Sequence, residues 1–385
     1  MLNKTSIIIL SYNTLELTKL CLESIKKYTP PDLYELIVVD NGSTDGSAEY
    51  LAGEEGILLL MNSENRGFPA GCNEGARVAS GDSILLLNSD TIVTPNYLNN
   101  MRAALFSREN IGAVGVVTNN ASNGQKIAAN YNSLEELESF AKEFNISDES
   151  KWHPYQTLVG FCLLIKRTAY ADVGELDENL SPGNFEDDDI CLRLRQAGYE
   201  TLLLDDTFIH HFGNASFKKL SGDEQILAKK NFEKILAKNF GYMQQKWGFS
   251  EEHKLVHSFF TNKISDKLKR GTKIAIVGID FRPEPFIMAR KYSGLEIFGV
   301  AFSETGAKVA AATYEVEKVD NIAAAAEKIP EGQDIIIIFG KYLPQDNNEY
   351  VERIVAGIMT RLKDSGIVYF ELGDRVYART PSNKG

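Results

Sequence analysis

The chain has 4 cysteines among 385 residues, and their spacing excludes the common uses of this residue. They are spread along the sequence without any Cys-x-x-Cys pair, as Cys21, Cys72, Cys162 and Cys191. Such spacing indicates neither a zinc site nor a disulfide framework, so a reducing compartment is the simplest setting. We therefore expect a cytoplasmic protein, with peripheral attachment at the inner face of a membrane as an alternative.

Long apolar segments and an excess of positive charge are also lacking. No run approaches the ~18 apolar residues of a membrane span, and the first residues, MLNKTSIIILSYN, have too short an apolar run for a secretory signal. We therefore expect no integral membrane segment. The 53 acidic residues exceed the 41 basic ones, which gives a formal net charge of −12. An acidic surface argues against nucleic acid as a partner, although it allows a local site for one nucleotide.

The order of strand and helix patterns predicts two α/β domains. The apolar runs SIIILS, ELIVVD, GILLLMN and SILLLNSD alternate with stretches of helical spacing, and a similar alternation restarts at Thr272. Alternating units of this kind build parallel sheets with helices on both faces. We predict a mainly parallel sheet domain over residues 1–220, a helical connector over 221–270, and a smaller Rossmann-like α/β domain over 271–385.

Polar residues follow the four predicted strands of the first domain. These are Ser11-Tyr12-Asn13, Asp40-Asn41-Gly42-Ser43, Asn65-Arg66-Gly67 and Asn88-Ser89-Asp90. Each group alone is also typical of a turn, since turns favour Asn, Asp, Gly and Ser. Ligands of open parallel sheets bind outside the carboxyl ends of the strands, so four such groups on one edge favour a polar cleft. Carboxylates, amides and an arginine would suit a nucleotide there.

Four segments then follow one another along the first domain: VVDNGSTDGS, ENRGFPAGCNEGAR, LLLNSD and FEDDDICLRLRQAGY. Together they resemble the motifs of the inverting family-2 glycosyltransferases of the GT-A fold, over residues 5 to about 217. The resemblance is closest to bacterial enzymes that decorate cell-surface polysaccharides or proteins. It implies a nucleotide-sugar donor and a hydroxyl of a glycan or protein as the acceptor. A UDP-sugar is the first candidate donor, and rhamnose from a dTDP donor is the alternative.

The resemblance also implies roles for individual residues around the donor. It places Asp40 against the base or ribose and aligns Asn88-Ser89-Asp90 with the Asp-x-Asp element of the family, with an amide at the first position. The remaining residues implied in nucleotide-sugar binding are Ser11, Tyr12, Asn13, Arg66, Gly67 and Asn73.

The same resemblance raises the question of a metal. If the strand continues to Asp90, alternation puts Asn88 and Asp90 on one side and Ser89 on the other. One carboxylate suffices for Mg²⁺ or Mn²⁺ when a diphosphate supplies further ligands. In the family a histidine opening an H-x-x-G-x-x-S run completes the site, which implies His210 as the second ligand. Since adjacent residues of an extended segment face opposite ways, only one of His210 and His211 should reach the metal, and a surface pair is the alternative.

Four consecutive acids, Glu186 to Asp189, begin a predicted helix that Gly198 ends. Acids there complement the helix dipole, but Asp187 shares a face with Ile190 and Cys191, which is the buried face. Partial burial among other acids would raise the pKa of Asp187, as a general base requires. The resemblance likewise implies Asp187 as the catalytic base, with Asp189 as the second candidate. On the acceptor side, Trp152, His153 and Tyr155 either stack on a sugar or pack internally.

The second domain more weakly resembles S-adenosylmethionine-dependent methyltransferases, over about residues 271–378. Bulky residues follow Gly278 where such enzymes need glycines for close approach of the cofactor. We therefore expect a degenerate domain that does not bind S-adenosylmethionine, with a role in protein interaction or self-association. For the whole chain, a catalytically silent GT-A scaffold is the alternative to an enzyme. A nucleotidyltransferase is disfavoured because SYNTLELTK replaces the expected Gly-rich phosphate loop.

Overall fold

The computed structural model describes residues 4–213, 222–248, 264–344, 347–372 and 375–381. The chain forms two compact units, Met1–Leu194 with Tyr199–Gly248 and Arg195–Gly198 with Phe249–Gly385. The first part of the predicted connector is a helix that belongs to the first unit. The rest of that connector up to residue 263, and the end of the predicted histidine run at Ser216, lie outside the described residues.

The first unit is built on a nine-stranded sheet with the order β3-β2-β1-β4-β8-β6-β9-β5, in which β7 also pairs with β9. Strands β1 to β4, β6 and β9 share one direction, because β8 is antiparallel to both β4 and β6. The strands are β1 (Thr5–Ser11), β2 (Tyr34–Asp40), β3 (Ile57–Met61), β4 (Ser83–Asn88), β5 (Thr91–Ile92), β6 (Ile111–Thr118), β7 (Trp152–Pro154), β8 (Cys162–Lys166) and β9 (Glu200–His211).

Helices cover this sheet and connect its strands. They are α1 (Leu15–Tyr28), α2 (Ser47–Ala52), α3 (Phe68–Val78), α4 (Tyr97–Leu105), α5 (Leu134–Phe144), α6 (Arg167–Val173), α7 (Glu186–Gln196) and α8 (Gly222–Trp247), with 3-10 turns at Glu149–Lys151 and Glu178–Leu180. Two glycines bring α3 close to β1. A Cβ on Gly71 would lie 2.2 Å from Leu10 Cδ1, and one on Gly75 would lie 2.5 Å from Ile8 Cγ2.

The core of the first unit consists of the apolar runs that the sequence shows. In β1 and β4, alternate residues pack in one cluster with α1 and α4, including Ile7, Ile9, Leu85 and Leu87. The intervening Ile8 and Leu86 are equally buried on the other face. A strand that is buried on both faces reads as a continuous apolar run, and its polar residues are left for the strand ends.

The second unit is a separate six-stranded sheet with the order β12-β11-β10-β13-β14-β15, parallel except for the last pair. Its strands are β10 (Lys273–Val277), β11 (Glu296–Ala301), β12 (Glu315–Lys318), β13 (Gln333–Ile338), β14 (Leu362–Leu372) and β15 (Arg375–Arg379). Its helices are α9 (Glu284–Lys291), α10 (Glu304–Ala311), α11 (Ala325–Lys328) and α12 (Asn348–Met359), with 3-10 turns at Ser265–Lys267, Ile322–Ala324 and Gly340–Tyr342. The predicted fold class, a mainly parallel α/β sheet with a second and smaller α/β unit, is confirmed. None of the described helices has both the length and the apolar composition to cross a bilayer.

Candidate active site

The ends of β1 and β2 are joined by polar contacts. Asn13 has a φ of +53°, and its side-chain oxygen accepts a hydrogen bond from the Thr44 backbone N–H at 2.8 Å. Its own backbone N–H donates to Ser43 Oγ at 3.1 Å. The two loops are therefore tied together over the carboxyl edge of the sheet, where we predicted the nucleotide. Tyr12 lies between Ser11 and Asn13 and is 41% exposed.

The two carboxylate oxygens of Asp40, at the end of β2, differ in their hydrogen bonding. Its Oδ2 accepts a hydrogen bond from Ser43 N at 3.0 Å, and the residue is 1% exposed. Its Oδ1 is buried without a hydrogen-bond partner in the described part of the chain. A buried acceptor that lacks a donor costs about 1–3 kcal/mol. An N–H or O–H group of a ligand could supply the missing donor.

Asn41, which the sequence did not single out, organises the loop after β3. Its Nδ2 donates to Asn65 Oδ1 at 2.9 Å, and its Oδ1 accepts from Arg66 N at 3.1 Å and from Asn62 Nδ2 at 3.2 Å. The Arg66 side chain turns to Glu74 of α3. Predicted Arg66 therefore lies at this edge, with its charge paired to Glu74.

Gly67 approaches a distant segment of the chain. Its φ is +86°, and a Cβ on this residue would lie 2.7 Å from Ser181 Oγ and 3.1 Å from Pro182 Cα. The next residue, Phe68, donates its backbone N–H to Pro182 O at 2.8 Å. Glycine is required here by both the backbone conformation and the lack of space. This contact joins the predicted donor wall to the segment that leads to the acidic residues.

Asn73 has a different role in the structure from the predicted nucleotide contact. Its Nδ2 donates to Leu176 O at 2.9 Å and Glu178 Oε1 at 3.1 Å. Its Oδ1 accepts from Leu176 N at 2.9 Å and Tyr170 O–H at 3.2 Å. An amide has two donor hydrogens and two acceptor sites, so these four bonds use its whole capacity. The side chain fixes residues 170–178 against α3.

The loop after β4 differs from the predicted strand. Strand β4 ends at Asn88, and Ser89 and Asp90 lie in a turn, so the alternation that we expected to direct Ser89 away does not extend to it. Ser89 Oγ lies instead 3.1 Å from Thr14 Oγ1, and Thr14 Oγ1 lies 3.1 Å from Thr18 Oγ1. Predicted Ser11 completes this chain of hydroxyls, with its Oγ 3.2 Å from Thr18 Oγ1.

The histidine beside Asp90 is His211, whereas the resemblance implied His210 as the second metal ligand. His211 Nε2 lies 3.3 Å from Asp90 Oδ1, whereas His210 Nδ1 lies 2.6 Å from Tyr131 O–H. The register of β5 with β9 is the cause, because it pairs Thr91 with His211 and Ile92 with His210. We expected only one of the two histidines to reach the metal, and His211 is the one that contacts Asp90.

The contacts of the His211 ring leave its Nε2 atom directed toward Asp90. Its Nδ1 lies 2.8 Å from Asn120 O, and a carbonyl accepts only if Nδ1 carries the proton. In the neutral ring, Nε2 then presents its lone pair toward the Asp90 carboxylate. Two acceptors at 3.3 Å require a proton or a metal ion to bring them together. Imidazole nitrogen and carboxylate oxygen are both ligands of divalent metal ions in proteins.

These two side chains fit a metal that the substrate also coordinates. Among the described residues, no group of three or more His, Cys, Asp and Glu side chains could hold a metal ion. Mg²⁺ commonly takes one or two protein carboxylates and completes its shell with substrate phosphates and water. The Asp90–His211 pair therefore suits a cation shared with a diphosphate, and Asn88 is the neighbouring residue at the end of β4.

Gly160 and Phe161 connect the predicted parts of the site. Phe161 O accepts a hydrogen bond from Asn88 N at 2.9 Å, and the Phe161 ring stacks on His211 with 5.1 Å between centroids. Gly160 N donates to Asp187 Oδ2 at 2.8 Å. Two consecutive residues thus touch the end of β4, the histidine and the predicted base. Sequence alone did not show this linking role.

Asp187 has the environment expected of a base. Burial raises the pKa of Asp187, and the hydrogen bonds from Gly160 N and Asp188 N offset this in part. Burial also raises the pKa of Asp188, to about 7, with the negative charge of Asp187 as the second cause. Burial, followed by the charge of Asp187, raises the pKa of Glu186 well above its usual range. Three neighbouring carboxyl groups therefore hold protons more tightly than in water.

Both carboxylate oxygens of Asp189, the second candidate for the base, contact other side chains of the protein. It is 0% exposed. Its Oδ2 accepts from Arg193 Nε at 2.8 Å, and its Oδ1 accepts from Lys246 Nζ at 2.8 Å and Trp247 Nε1 at 2.9 Å. Two cations and an indole N–H therefore occupy both oxygens of its carboxylate, and neither oxygen is left for an acceptor hydroxyl. This leaves Asp187 as the better candidate.

The aromatic residues on the expected acceptor side pack into the first unit. Trp152 Nε1 donates to Asp206 Oδ2 at 2.7 Å, and Tyr155 is 7% exposed. His153 Nε2 lies 3.5 Å from Asp205 Oδ2. Of the two alternatives left by the sequence, packing is the one that the structure shows for Trp152 and Tyr155.

In the second unit, the carboxyl edge of the sheet is filled by its own side chains. A Cβ on Gly278 would lie 2.3 Å from Tyr342 Cε2, and Tyr342 O–H donates to Asp280 Oδ2 at 2.9 Å. Asp280 Oδ1 accepts from Ser303 N at 3.0 Å, just before helix α10. A dinucleotide or S-adenosylmethionine would need this space and these N–H groups. The residues present do not fit such a cofactor.

Comparisons with known proteins match the first part of the chain to one family. The family described as Glycosyl transferase family 2 matches residues 6–174, which include β1 to β4, the loops described above and the 160–161 segment. The first unit is therefore similar to the domains of that family, and the match includes Asp40, Asp90 and Gly160.

Individual relatives cover parts of the chain. The uncharacterized protein y4gI of Sinorhizobium fredii is 26% identical over 255 residues, which are 63% of this chain and 27% of that protein. The poly(ribitol-phosphate) beta-glucosyltransferase of Bacillus spizizenii is 35% identical over 113 residues, which are 28% of this chain and 18% of that protein. The chain thus spans about a quarter or less of the length of these two relatives. A solved mannosyltransferase from Pyrobaculum calidifontis, in complex with GDP-Man and Mn²⁺, has 19% identity and a TM-score of 0.43, covering 56% of this chain and 59% of that one.

Proposed function

We propose that the first unit is a metal-dependent inverting glycosyltransferase. It would move a sugar from a nucleotide diphosphate donor, with a UDP-sugar as the first candidate, to a hydroxyl of a glycan or protein. The observation that carries this proposal is the link through residues 160 and 161. Through it, a carboxylate with a raised pKa is held beside the Asp90–His211 pair at the carboxyl edge of the sheet.

In this proposal Asp40 binds the donor, and Asp187 accepts the proton of the acceptor. Asp40, whose Oδ1 is buried without a partner among the described residues, would accept a hydrogen bond from the base or ribose. Asp187 would take the proton of the acceptor hydroxyl while the hydroxyl oxygen attacks the anomeric carbon. The bond from that carbon to the diphosphate oxygen breaks on the opposite side, so the configuration inverts. A raised pKa brings the base closer to the pKa range in which proton abstraction is efficient.

Asp90 and His211 would hold Mn²⁺ or Mg²⁺ together with the diphosphate. When bound, the cation neutralises the charge that develops on the leaving diphosphate. Asn120 O fixes the His211 ring through Nδ1, and Phe161 supports one face of that ring. Both contacts keep Nε2 directed to Asp90, so the ligand pair is organised by the protein itself.

Exchange of one carboxylate for an amide tests the assignment of the base. We expect Asp187→Asn to lower the rate of sugar transfer or donor hydrolysis by about 10²–10⁴, while the affinity for the nucleoside diphosphate with Mn²⁺ stays near that of the unchanged protein. Asp188→Asn is the matched control, because it makes the same change one residue away. Steady-state rates and calorimetric titration would measure both effects.

Two results would contradict the assignment. Unchanged turnover of Asp187→Asn would exclude Asp187 as the base, and a larger loss in Asp188→Asn would move the role to Asp188. A protein that binds nucleotide sugars tightly but never turns them over would instead be a silent scaffold.

For the second unit, we propose a role in protein contacts or self-association. The sheet edge filled by Tyr342 and Asp280 is consistent with a unit that binds no cofactor there.

A further inference from the structure

Helix α8 lies against the segment that leads into the acidic residues. Asn239 is 0% exposed, and its Nδ2 donates to three backbone carbonyls: Leu180 O at 2.7 Å, Gly183 O at 2.9 Å and Asn184 O at 3.2 Å. A primary amide has two donor hydrogens, so one of them is shared between two acceptors. A single buried side chain therefore holds together the turn at residues 180–184.

That turn has an unfavourable backbone conformation. Asn184 and Phe185 have φ values of +77° and +75°. The left-handed region costs a residue such as Phe185 about 1–2 kcal/mol, although asparagine tolerates it better, and such residues persist only where the surroundings hold them. Phe185 O accepts the backbone N–H of Asp189 at 2.8 Å, which is the first helical bond of α7. The strained residues therefore set the direction in which α7 begins.

Helix α8 also contacts Asp189, which follows Asp187, and Asp177, which precedes it. Trp247 Nε1 and Lys246 Nζ both contact Asp189 Oδ1, at 2.9 Å and 2.8 Å. Tyr242 O–H and Lys246 Nζ contact Asp177 Oδ2, at 2.8 Å and 2.6 Å. Helix α8 thus contacts the chain on both sides of Asp187. The Asp187 side chain itself is joined to the remainder of the site by the hydrogen bond from Gly160 N.

The turn that Asn239 holds is also in contact with the donor wall. Pro182 O accepts the Phe68 backbone N–H at 2.8 Å, and the missing side chain of Gly67 leaves room for Ser181. A shift of residues 181–184 would therefore change the distance between Asp187 and the loop after β3. The position of the base relative to the donor depends on this turn.

We propose that Asn239 and Trp247 are positioning residues for the transfer reaction, which hold the two flanks of Asp187 so that its carboxylate faces the acceptor hydroxyl. This inference rests on the proposed function. Neither residue touches the reacting atoms, and both act through the backbone or side chains of α7 and the turn before it. Their loss should therefore reduce turnover while leaving donor binding intact.

The test uses the full chain and the donor that is hydrolysed fastest among UDP-glucose, UDP-N-acetylglucosamine, GDP-mannose and dTDP-rhamnose. We expect Asn239→Ala to lower kcat at least tenfold, with KM for that donor and Kd for its nucleoside diphosphate with Mn²⁺ changed less than twofold. Asn231→Ala is the matched control, because Asn231 is exposed on the same helix. It should leave kcat, KM and Kd unchanged.

Trp247→Phe tests the other flank, because it removes one N–H donor and keeps an aromatic ring in its place. We expect kcat to fall several-fold with KM and Kd unchanged. It also replaces Asn239→Ala as the decisive variant if that protein does not fold. Wild-type kcat in the folded variants, or a loss of nucleotide binding as large as the loss of kcat, would overturn the proposal.

Failure of this inference differs from failure of the proposed function. If Asp187→Asn is inactive and Asn239→Ala and Trp247→Phe match Asn231→Ala, only the positioning role is wrong. If the unchanged protein hydrolyses none of the donors, the proposed function is wrong and the positioning role with it.

Discussion

At the scale of single residues, the proposed metal site depends on which histidine contacts Asp90. His210 and His211 are adjacent and chemically identical, yet one contacts Tyr131 and the other Asp90. The difference comes from a two-residue strand, β5, whose pairing with β9 sets the register. Because the two rings point to opposite sides, substituting each in turn separates a metal ligand from a packing residue.

We expect His211→Ala to lower metal-dependent activity by about 100-fold or more, since even the supporting partners of metal ligands are worth 10–100-fold. His210→Ala is the matched control and should keep Mn²⁺-dependent activity close to that of the unchanged protein. Activity measured against Mn²⁺ concentration shows the effect directly. The assignment would be wrong if the His210 variant lost metal dependence and the His211 variant kept it.

At the scale of secondary-structure elements, helix α3 shows how small residues set the distance between a helix and the sheet. Gly71 and Gly75 lie one turn apart and face β1, where an added methyl group would overlap Leu10 and Ile8. The close approach places the start of α3 beside the ends of β1 and β2, and with it Gly67. Glycine in a helix normally costs about 0.5–1 kcal/mol relative to alanine, and close packing offsets that cost here.

The same substitution at two helical glycines should therefore have opposite effects on the free energy of unfolding. Gly75→Ala inserts a methyl group into filled space and should lower the free energy of unfolding by about 1–3 kcal/mol. Among the described residues, and apart from the neighbouring backbone of α8 itself, no atom lies within 4 Å of the carbon that Gly241→Ala adds, so this variant should raise it by about 0.5–1 kcal/mol. Urea denaturation measures both. A stabilised Gly75→Ala variant would show that α3 can move away from β1 without cost.

At the scale of the whole molecule, the strand ends of the first sheet and the buried environment of Asp187 were predictable from the sequence. Buried parallel strands appear as apolar runs, and their polar ends then mark the edge where a ligand binds. Asp187 was predictable because helical periodicity places it with Ile190 and Cys191 on a buried face.

Other features depended on contacts between distant parts of the chain. Asn73 was predicted at the nucleotide, but its partners lie about a hundred residues later, at 170–178. Helix α8 was predicted to be part of a connector, and only its contacts with residues 177–189 show that it belongs to the first unit. Ser89 was misplaced because the strand ends at Asn88, two residues before Asp90, to which we expected it to continue. Local patterns do not encode strand register or these long-range hydrogen bonds.

The most direct test of the central claim is release of a nucleoside diphosphate from UDP-, GDP- and dTDP-sugars by the full chain. We predict release from at least one donor in the presence of Mn²⁺ or Mg²⁺, loss of that release with EDTA, and recovery when the metal is added back. Release that continues undiminished in EDTA would contradict the metal site at Asp90 and His211. Neither release nor binding with any donor would contradict the proposed function itself.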